Sequence, residues 1–541
     1  MSRLVAPSKA LGYSRLYLDF LAGNPSARQF FLASSLDETV AQLDRRSYDR
    51  RRLIDILTHQ NREFGASTAS LKNIEKLADS EAVCIISGQQ AGLFGHSLLV
   101  QIKALALVKK AQQLSLRLNR PVVPIFWIAG DDHDFGEVAQ TTVLNREGSI
   151  TTIAYRSQRA VELPIGETKL SDESALATAI SEYRAALGDS EFTPELYAMI
   201  EDSYTTDNTF VAAFGKLMAR LTARYGLVYF SPSNAEVKKL AEPFLRGVIG
   251  RNSEVRATVH ETNDRLVGGG FHLQVEKSDH ATFLFYNGTQ GRKPVTGVGD
   301  QFVLEGENYS LNQLQDLLAS SPERFSPDVI LRPVMQSYLF PVLAQYGGPS
   351  EIAYLAQLNR LFGLFDLPTP HHLPRPTATL IEKRFEKIMS ENGIAYEDLT
   401  GDVETVVTHV LEKSFPPDLE RRFQETRSDM ATRFEQFTVS GLEFDSSLKD
   451  FAKQTAGKID FSLKSFEDKV FASHKKKSKE TRERIYRLQN ALFPNHAPQD
   501  RTLNIGYFIA KYGAGVISFL HDHLEVDETS HQLLYLSEMT D

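Results

Sequence analysis

Four consecutive residues, Asp131, Asp132, His133 and Asp134, with Glu137 just after them and the single tryptophan, Trp127, just before, make the densest patch of ionisable chemistry in the chain. Adjacent side chains on a turning segment point in different directions, so all four cannot ligate one ion. A subset could hold a metal through carboxylate and imidazole. His133 could move protons or polarise a phosphate, and the carboxylates could orient an ammonium group. The plain alternative is a solvated loop that caps a helix.

A second patch lies upstream, where Ser87 leads into GQQAGLFG. Gly88, Gly92 and Gly95 leave the backbone around Gln89 and Gln90 free to take positive φ and to let a ligand approach closely. The loop is neither a P-loop nor a GxGxxG fingerprint, and a purely structural turn is its bland reading. A third patch starts at Arg332, continues with Gln336 and Tyr338 on a helix, and ends in Gly347, Gly348, Pro349, Ser350 and Glu351. Arg332 offers a fixed cation for a carboxylate or phosphate, or else an ion pair tying strand to helix.

These patches need elements to hold them. Residues 82–87 form an uncharged run suited to a strand buried on both faces, and residues 122–128 form another, interrupted only by Pro124. Between them, Leu98, Ile102, Leu105 and Val108 recur at helical spacing around Gln101, Lys103 and Lys109, which predicts an amphipathic helix. A strand–helix–strand unit of this kind closes as a right-handed crossover between parallel strands. Ligands collect outside the carboxyl ends of such strands, where the glycine loop, Gly130 and the acidic run sit. Residues 226–230 read as a third strand, with Ser233 and Glu236 predicting a capping box beyond it. Residues 145–193 read as a polar, irregular insertion. Residues 271–300 read as a β-rich meander, with His272, His280 and Arg292 as hairpin or surface residues. Cys84 reads as a small core residue.

The strings SGQQAGLFG and PVVPIFWIAGDDHDF together resemble the bacillithiol-biosynthesis cysteine ligase family, whose members carry a GQQAGL-type loop and a PVFWIAGEDHDF-type strand end. The resemblance continues at residues 331–358, at PRPTATLIE, at QDRTLNIGYFIAKYG and at HQLLYL, and so covers nearly the whole chain. It departs at His96, where a small residue such as glycine is more usual, and near Ser231, where the family usually shows an acidic residue. It implies an α/β fold with a Rossmann-like parallel-sheet core, inserted β-rich and helical segments, and a long α-helical coiled-coil domain that dimerises. It further implies joining of cysteine to glucosaminyl malate, with ATP as the obvious activator and Mg²⁺ as its companion. On that basis His133, Asp131, Asp132 and Asp134 are the catalytic candidates. Ser87, Gly88, Gln89, Gln90, Gly92, Gly95, Lys103, Trp127, Gly130, Arg332, Gln336, Tyr338, Gly347, Gly348 and Glu351 are the substrate- or nucleotide-binding ones, and no residue is assigned as a dedicated metal ligand. Metal-assisted hydrolysis and a non-catalytic nucleotide- or thiol-binding dimeric scaffold are the rival readings.

The 541 residues exceed what one hydrophobic core organises. The expected division is a core over residues 1–375 with insertions near 145–222 and 265–310, a helical arm over 376–496, and a segment over 497–541 that returns to the core. The arm is read from heptad-like spacing of Leu419, Phe423, Met430, Phe434 and Phe437, then Ile459, Leu463, Phe466 and Val470, then Ile485, Leu488 and Leu492. A net charge of −9 argues against a general nucleic-acid partner. One cysteine and the absence of an apolar leader or membrane-length run predict a cytoplasmic protein with no membrane contact.

Overall fold

The structure, a computed structural model, describes residues 3–158, 161–413 and 416–539. The chain divides into two compact units, residues 1–381 with 497–541 and residues 382–496.

In the first unit the two apolar runs become β1 (Val83–Gln89) and β2 (Val122–Ile128), joined by α1 (Leu98–Leu118). After them come β3 (Val228–Phe230), α2 (Ala235–Gly250), α3 (Arg332–Leu339), β4 (Val342–Gly347), α4 (Pro349–Leu364) and β5 (His371–Pro374). The strands form one five-stranded parallel sheet in the order β5-β4-β1-β2-β3, with Cys84 fully buried in it. This is a Rossmann-like, doubly wound order, and its winding reverses between β1 and β4, where a crevice opens at the carboxyl ends.

Helix α1 departs from a one-sided amphipathic stripe. Gln101 and Lys103 are buried along with Leu98, Ile102 and Leu105: Gln101 donates to Met218 Sδ at 3.0 Å, Lys103 reaches back to the end of β1, and the helices Gln499–Thr502 and Gly515–His523 also pack against α1. The free edge of β3 is closed by side chains. Asn61 donates to Tyr229 O at 2.7 Å and accepts from Tyr229 N at 3.0 Å, while Gln60 does the same for Ser231 at 2.9 and 3.0 Å. Two amides thereby stand in for a further strand along β3 and occupy the backbone groups of Tyr229 and Ser231 that another chain could pair with.

Residues 145–193 are more ordered than their polarity suggests: Gln140–Leu144 pairs with Ile150–Ala154 as a hairpin, and Glu173–Leu187 is a helix. The cap of α2 is Asn234, which accepts from Glu236 N at 2.9 Å, and not Ser233. The meander is present as a five-stranded antiparallel sheet that includes Ala281–Gly288, Gly291–Val298 and Phe325–Pro327. A third sheet joins Arg3–Val5, His531–Tyr535 and Thr377–Ile381.

The second unit is helical. Pro417–Phe444 and Lys449–Lys477 run antiparallel, held by Phe423 against Phe466 at 5.9 Å and by Arg427 on Asp460 at 2.7 Å. The third heptad run belongs to Lys479–Leu492, whose Ile485, Leu488 and Leu492 are buried where it packs on Val403–Lys413. Among the described residues no helix is long and apolar enough to cross a membrane.

Candidate functional site

The carboxyl ends of β1, β2 and β4 open into a cavity of about 600 Å³. Gly88, Gln89 and Gln90 line it, whereas Ser87, Gly92 and Gly95 lie outside its wall. Their glycines serve the loop's own packing. A Cβ on Gly88 would come within 2.4 Å of Trp127 O, its ladder neighbour, and one on Gly92 within 2.1 Å of the His96 ring. Gly95, at φ +85°, donates its N–H to Tyr204 Oη at 3.1 Å. Asn504 closes the loop by donating to Phe94 O at 2.9 Å and His96 O at 2.6 Å. Phe94 and His96 are thereby held at φ 50° and 60°, a region non-glycine residues seldom occupy. His96 also faces the cavity, and burial, with Lys103 nearby, pushes its imidazole down to about 4.

One wall is basic. Lys103 is buried and spends its donors on Gly88 O at 2.9 Å, Gln89 Oε1 at 2.8 Å and Glu351 at 3.0 Å. Glu351 in turn accepts from Gly348 N at 2.7 Å, so the pair stitches the end of β1 to the start of α4. Burial opposes ionisation of Glu351, yet Lys103 and the Gly348 N–H hold its carboxyl below the usual range. Arg332 donates to Tyr354 Oη, and Arg375 reaches Asp500 at 3.3 Å beside Arg501. The Nε atoms of Arg332 and Arg375 are buried with no hydrogen-bond partner. Four cations on this wall thus face two carboxylates, Glu351 and Asp500. Such a surplus, with unpartnered guanidinium donors, suits an anionic ligand. Gln336 accepts from Gln345 at 3.1 Å, Tyr338 packs on Phe244 at 5.4 Å, and both lie outside the lining together with Gly347.

The opposite wall is the acidic loop. Asp131 is tied to Lys238 of α2 at 2.7 Å. Asp132 accepts from Gln90 at 2.6 Å and from His133 N at 2.7 Å; these bonds, acting against burial, keep its carboxyl below the usual range. Asp134 points elsewhere, capping the short helix Phe135–Val138 through Glu137 N at 3.1 Å. Gly130 lies behind the wall, where a Cβ would meet Ser233 Oγ at 2.2 Å. Among the described residues no three His, Cys, Asp or Glu side chains converge as metal ligands would. Trp127 lines the cavity and packs on Phe230 at 4.6 Å.

Glu137 lines the cavity, and among the described residues no cation forms an ion pair with it; desolvation, helped by Asp134 and Asp132, raises its carboxyl despite a hydrogen bond from Gln90. Lys277, Arg292, Asp328, Tyr354, Arg375 and Arg501 join the lining from segments distant in sequence. Arg292 is the clearest departure from expectation. It is 6% exposed instead of a surface hairpin residue, stacks on Phe285 at 3.7 Å and donates to His133 Nδ1 at 3.0 Å. An arginine on a β-hairpin resembles any solvated one until the hairpin is docked. Arg375 and Arg501 lie inside the motif strings quoted above, which was the available signal.

The family model described as "Bacillithiol biosynthesis BshC, N-terminal Rossmann-like domain" matches residues 3–376, and "Bacillithiol biosynthesis BshC, C-terminal coiled-coil domain" matches residues 378–536. Curated relatives named "Putative cysteine ligase BshC" include one from Koribacter versatilis, 29% identical over 94% of this chain and 95% of its own length. Another, from Geobacillus thermodenitrificans, is 29% identical over 97% and 98%, and one from Chlorobaculum tepidum is 28% identical over 98% of each. With both halves matched in order, the chain belongs to the bacillithiol-biosynthesis BshC family.

Proposed function

We propose that this chain is the cytoplasmic ligase that joins the carboxyl group of L-cysteine to the amine of glucosaminyl malate, completing bacillithiol. The observation that carries the reading is a single cavity at the switch point of the sheet, with a cation-rich wall opposite a carboxylate- and histidine-bearing loop. Both acyl transfer partners carry an amine and at least one carboxylate, and a two-signed cavity can orient both.

Amide formation from a free carboxylate is uphill in water, and ATP, when bound, supplies the activation. The surplus charge and unpartnered Nε donors of Arg332 and Arg375 fit phosphate or carboxylate oxygens. These two residues and Arg501 would hold such groups, and the Asp132 carboxylate would help to hold a Mg²⁺ ion accompanying the nucleotide. Asp131 and Asp132 would attract a substrate ammonium group. As the new C–N bond forms, the amine must lose a proton. Glu137, uncommitted to a cation and raised by desolvation, is suited to receive it. His133 would polarise the reacting oxygen.

The helical unit supports homodimerisation: Phe437, Phe444, Phe451 and Phe461 of its hairpin are each more than two-thirds exposed. Large aromatic side chains left this exposed would gain by burial against a second copy of the hairpin. Light scattering should give a dimer mass that Phe451→Glu/Phe461→Glu reduces to a monomer's. The central test is incubation with cysteine, glucosaminyl malate, ATP and Mg²⁺, followed by mass spectrometry. The expected product is the amide, dependent on nucleotide. No amide across a range of nucleotides and metals overturns direct ligation.

A further inference from the structure

The reading above gives His133 the polarising role, and an arginine from the inserted antiparallel sheet fixes which ring nitrogen can play it. Arg292 sits on Gly291–Val298, next to the turn that returns from Ala281–Gly288. Its guanidinium is locked on every side: Nε donates to Ser326 Oγ at 3.2 Å, one terminal nitrogen donates to Pro327 O at 3.4 Å, and the plane lies 3.7 Å from the centre of the Phe285 ring. The remaining terminal nitrogen, Nη1, donates to His133 Nδ1 at 3.0 Å.

A guanidinium has donors only. Nδ1 of His133 must therefore be the acceptor and carry no proton, which leaves the ring's proton on Nε2. The ring has few other neighbours that could reverse this choice. Asp132 Oδ1 is 3.8 Å from Nδ1 and is already bound to the His133 backbone N–H, and the Phe285 ring lies 6.0 Å away. His133 is about one-third exposed and faces the cavity.

We infer that Arg292 is a positioning residue that fixes His133 as an Nε2–H hydrogen-bond donor into the cavity. The donor would serve an oxygen on which negative charge develops, such as a carbonyl or phosphoryl oxygen, so His133 polarises and does not act as the base for the amine. This division of labour rests on the ligation reading, whereas the proton's place on the ring does not. The device also couples the inserted sheet to the chemistry: one side chain from outside the parallel core sets the orientation of a side chain at its strand end. Preorganised donors of this type are worth roughly 100- to 1000-fold in rate.

The test is long-range ¹H–¹⁵N correlation on the full chain labelled with ¹⁵N-histidine, with His133 assigned by difference from His133→Asn. The expected wild-type pattern is a bare Nδ1 and a protonated Nε2. Arg292→Met keeps the bulk over Phe285 and removes the donor; it should let the proton distribute over both nitrogens. Arg292→Lys, which restores a donor, should return the wild-type pattern at least in part. In turnover, Arg292→Met should lower kcat at least about 10-fold and change KM for cysteine less than about 3-fold. A wild-type ring protonated on Nδ1, or an Arg292→Met spectrum identical to wild type in a folded protein, overturns the assignment. Should Arg292→Met fail to fold, the wild-type and Arg292→Lys spectra decide it. A wild-type protein that makes no amide would sink the ligation reading while the spectrum still decides the proton's place.

Discussion

The two walls of the cavity are built in opposite ways. On the basic wall, Lys103, Arg332 and Arg375 project from regular elements or their ends, Lys103 and Arg375 buried and Arg332 half-buried, and contact carboxylates, carbonyls or a tyrosine hydroxyl directly. On the acidic wall, Asp131, Asp132, His133 and Glu137 sit on a loop and one helical turn, partly exposed, and are oriented by groups brought from elsewhere: Lys238, Gln90 and Arg292. The first wall is part of the fold's own stability, and the second can be altered without dismantling the sheet. Changes to the basic wall should therefore register as unfolding or weak binding, and changes to the acidic wall as rate.

The sharpest way to break this contrast is Lys103→Met. It leaves the Glu351 carboxylate, one quarter exposed and still accepting from Gly348 N, without its cation, and a loss of about 2–3 kcal/mol in urea unfolding is expected, below that of a fully buried pair. Lys103→Met/Glu351→Gln should recover part of that loss; full stability of the single mutant would mean that the wall is not structural. The pair also has a pH signature. Because the folded Glu351 carboxyl lies below its unfolded value, its contribution is present above about pH 4.3 and is lost as pH falls through the folded value. Unfolding of Glu351→Gln should be less acid-sensitive than that of wild type.

Next in size is Arg332→Met, which removes a cation whose Nε has no internal partner. A rise of roughly 10- to 100-fold in KM for the anionic substrate is expected with little change in unfolding, a loss of one charge-assisted contact of about 1.5–3 kcal/mol. An unchanged KM would place the anion elsewhere. On the acidic wall, Glu137→Gln should lower kcat by about 10- to 100-fold and abolish the acidic limb of its pH profile. That limb should lie above the ordinary carboxylate value, because the folded Glu137 is raised and gains its proton at higher pH. The smallest effect belongs to Asp134→Ala, which loses only a cap and should cost about 1 kcal/mol with kcat nearly intact. A large loss of kcat there would bring Asp134 back into the chemistry.

The parallel sheet, its connecting helix and the two loops at its strand ends were legible because uncharged runs, helical spacing and glycine clusters are local signals. The same holds for the antiparallel helical hairpin, where aromatic and aliphatic residues repeat among charges. The glycines of the loop misled in detail: Gly88 and Gly92 avoid collisions with Trp127 and His96, contacts that no pattern within the loop reveals. Asp134 looked equivalent to Asp131 and Asp132, yet backbone direction turned it into a cap.

What the sequence by itself determined is which residues could bear charge at the strand ends, because strand, turn and helix start are set by neighbours within a few positions. Which of them meet was decided only by tertiary structure. Lys103 faces Glu351, Arg375 faces Asp500, and Arg292 faces His133 across separations of more than a hundred residues along the chain. Such pairings depend on how inserted and terminal segments dock on the sheet. Burial then makes each partner obligatory, since a charge withdrawn from water must be met by another group.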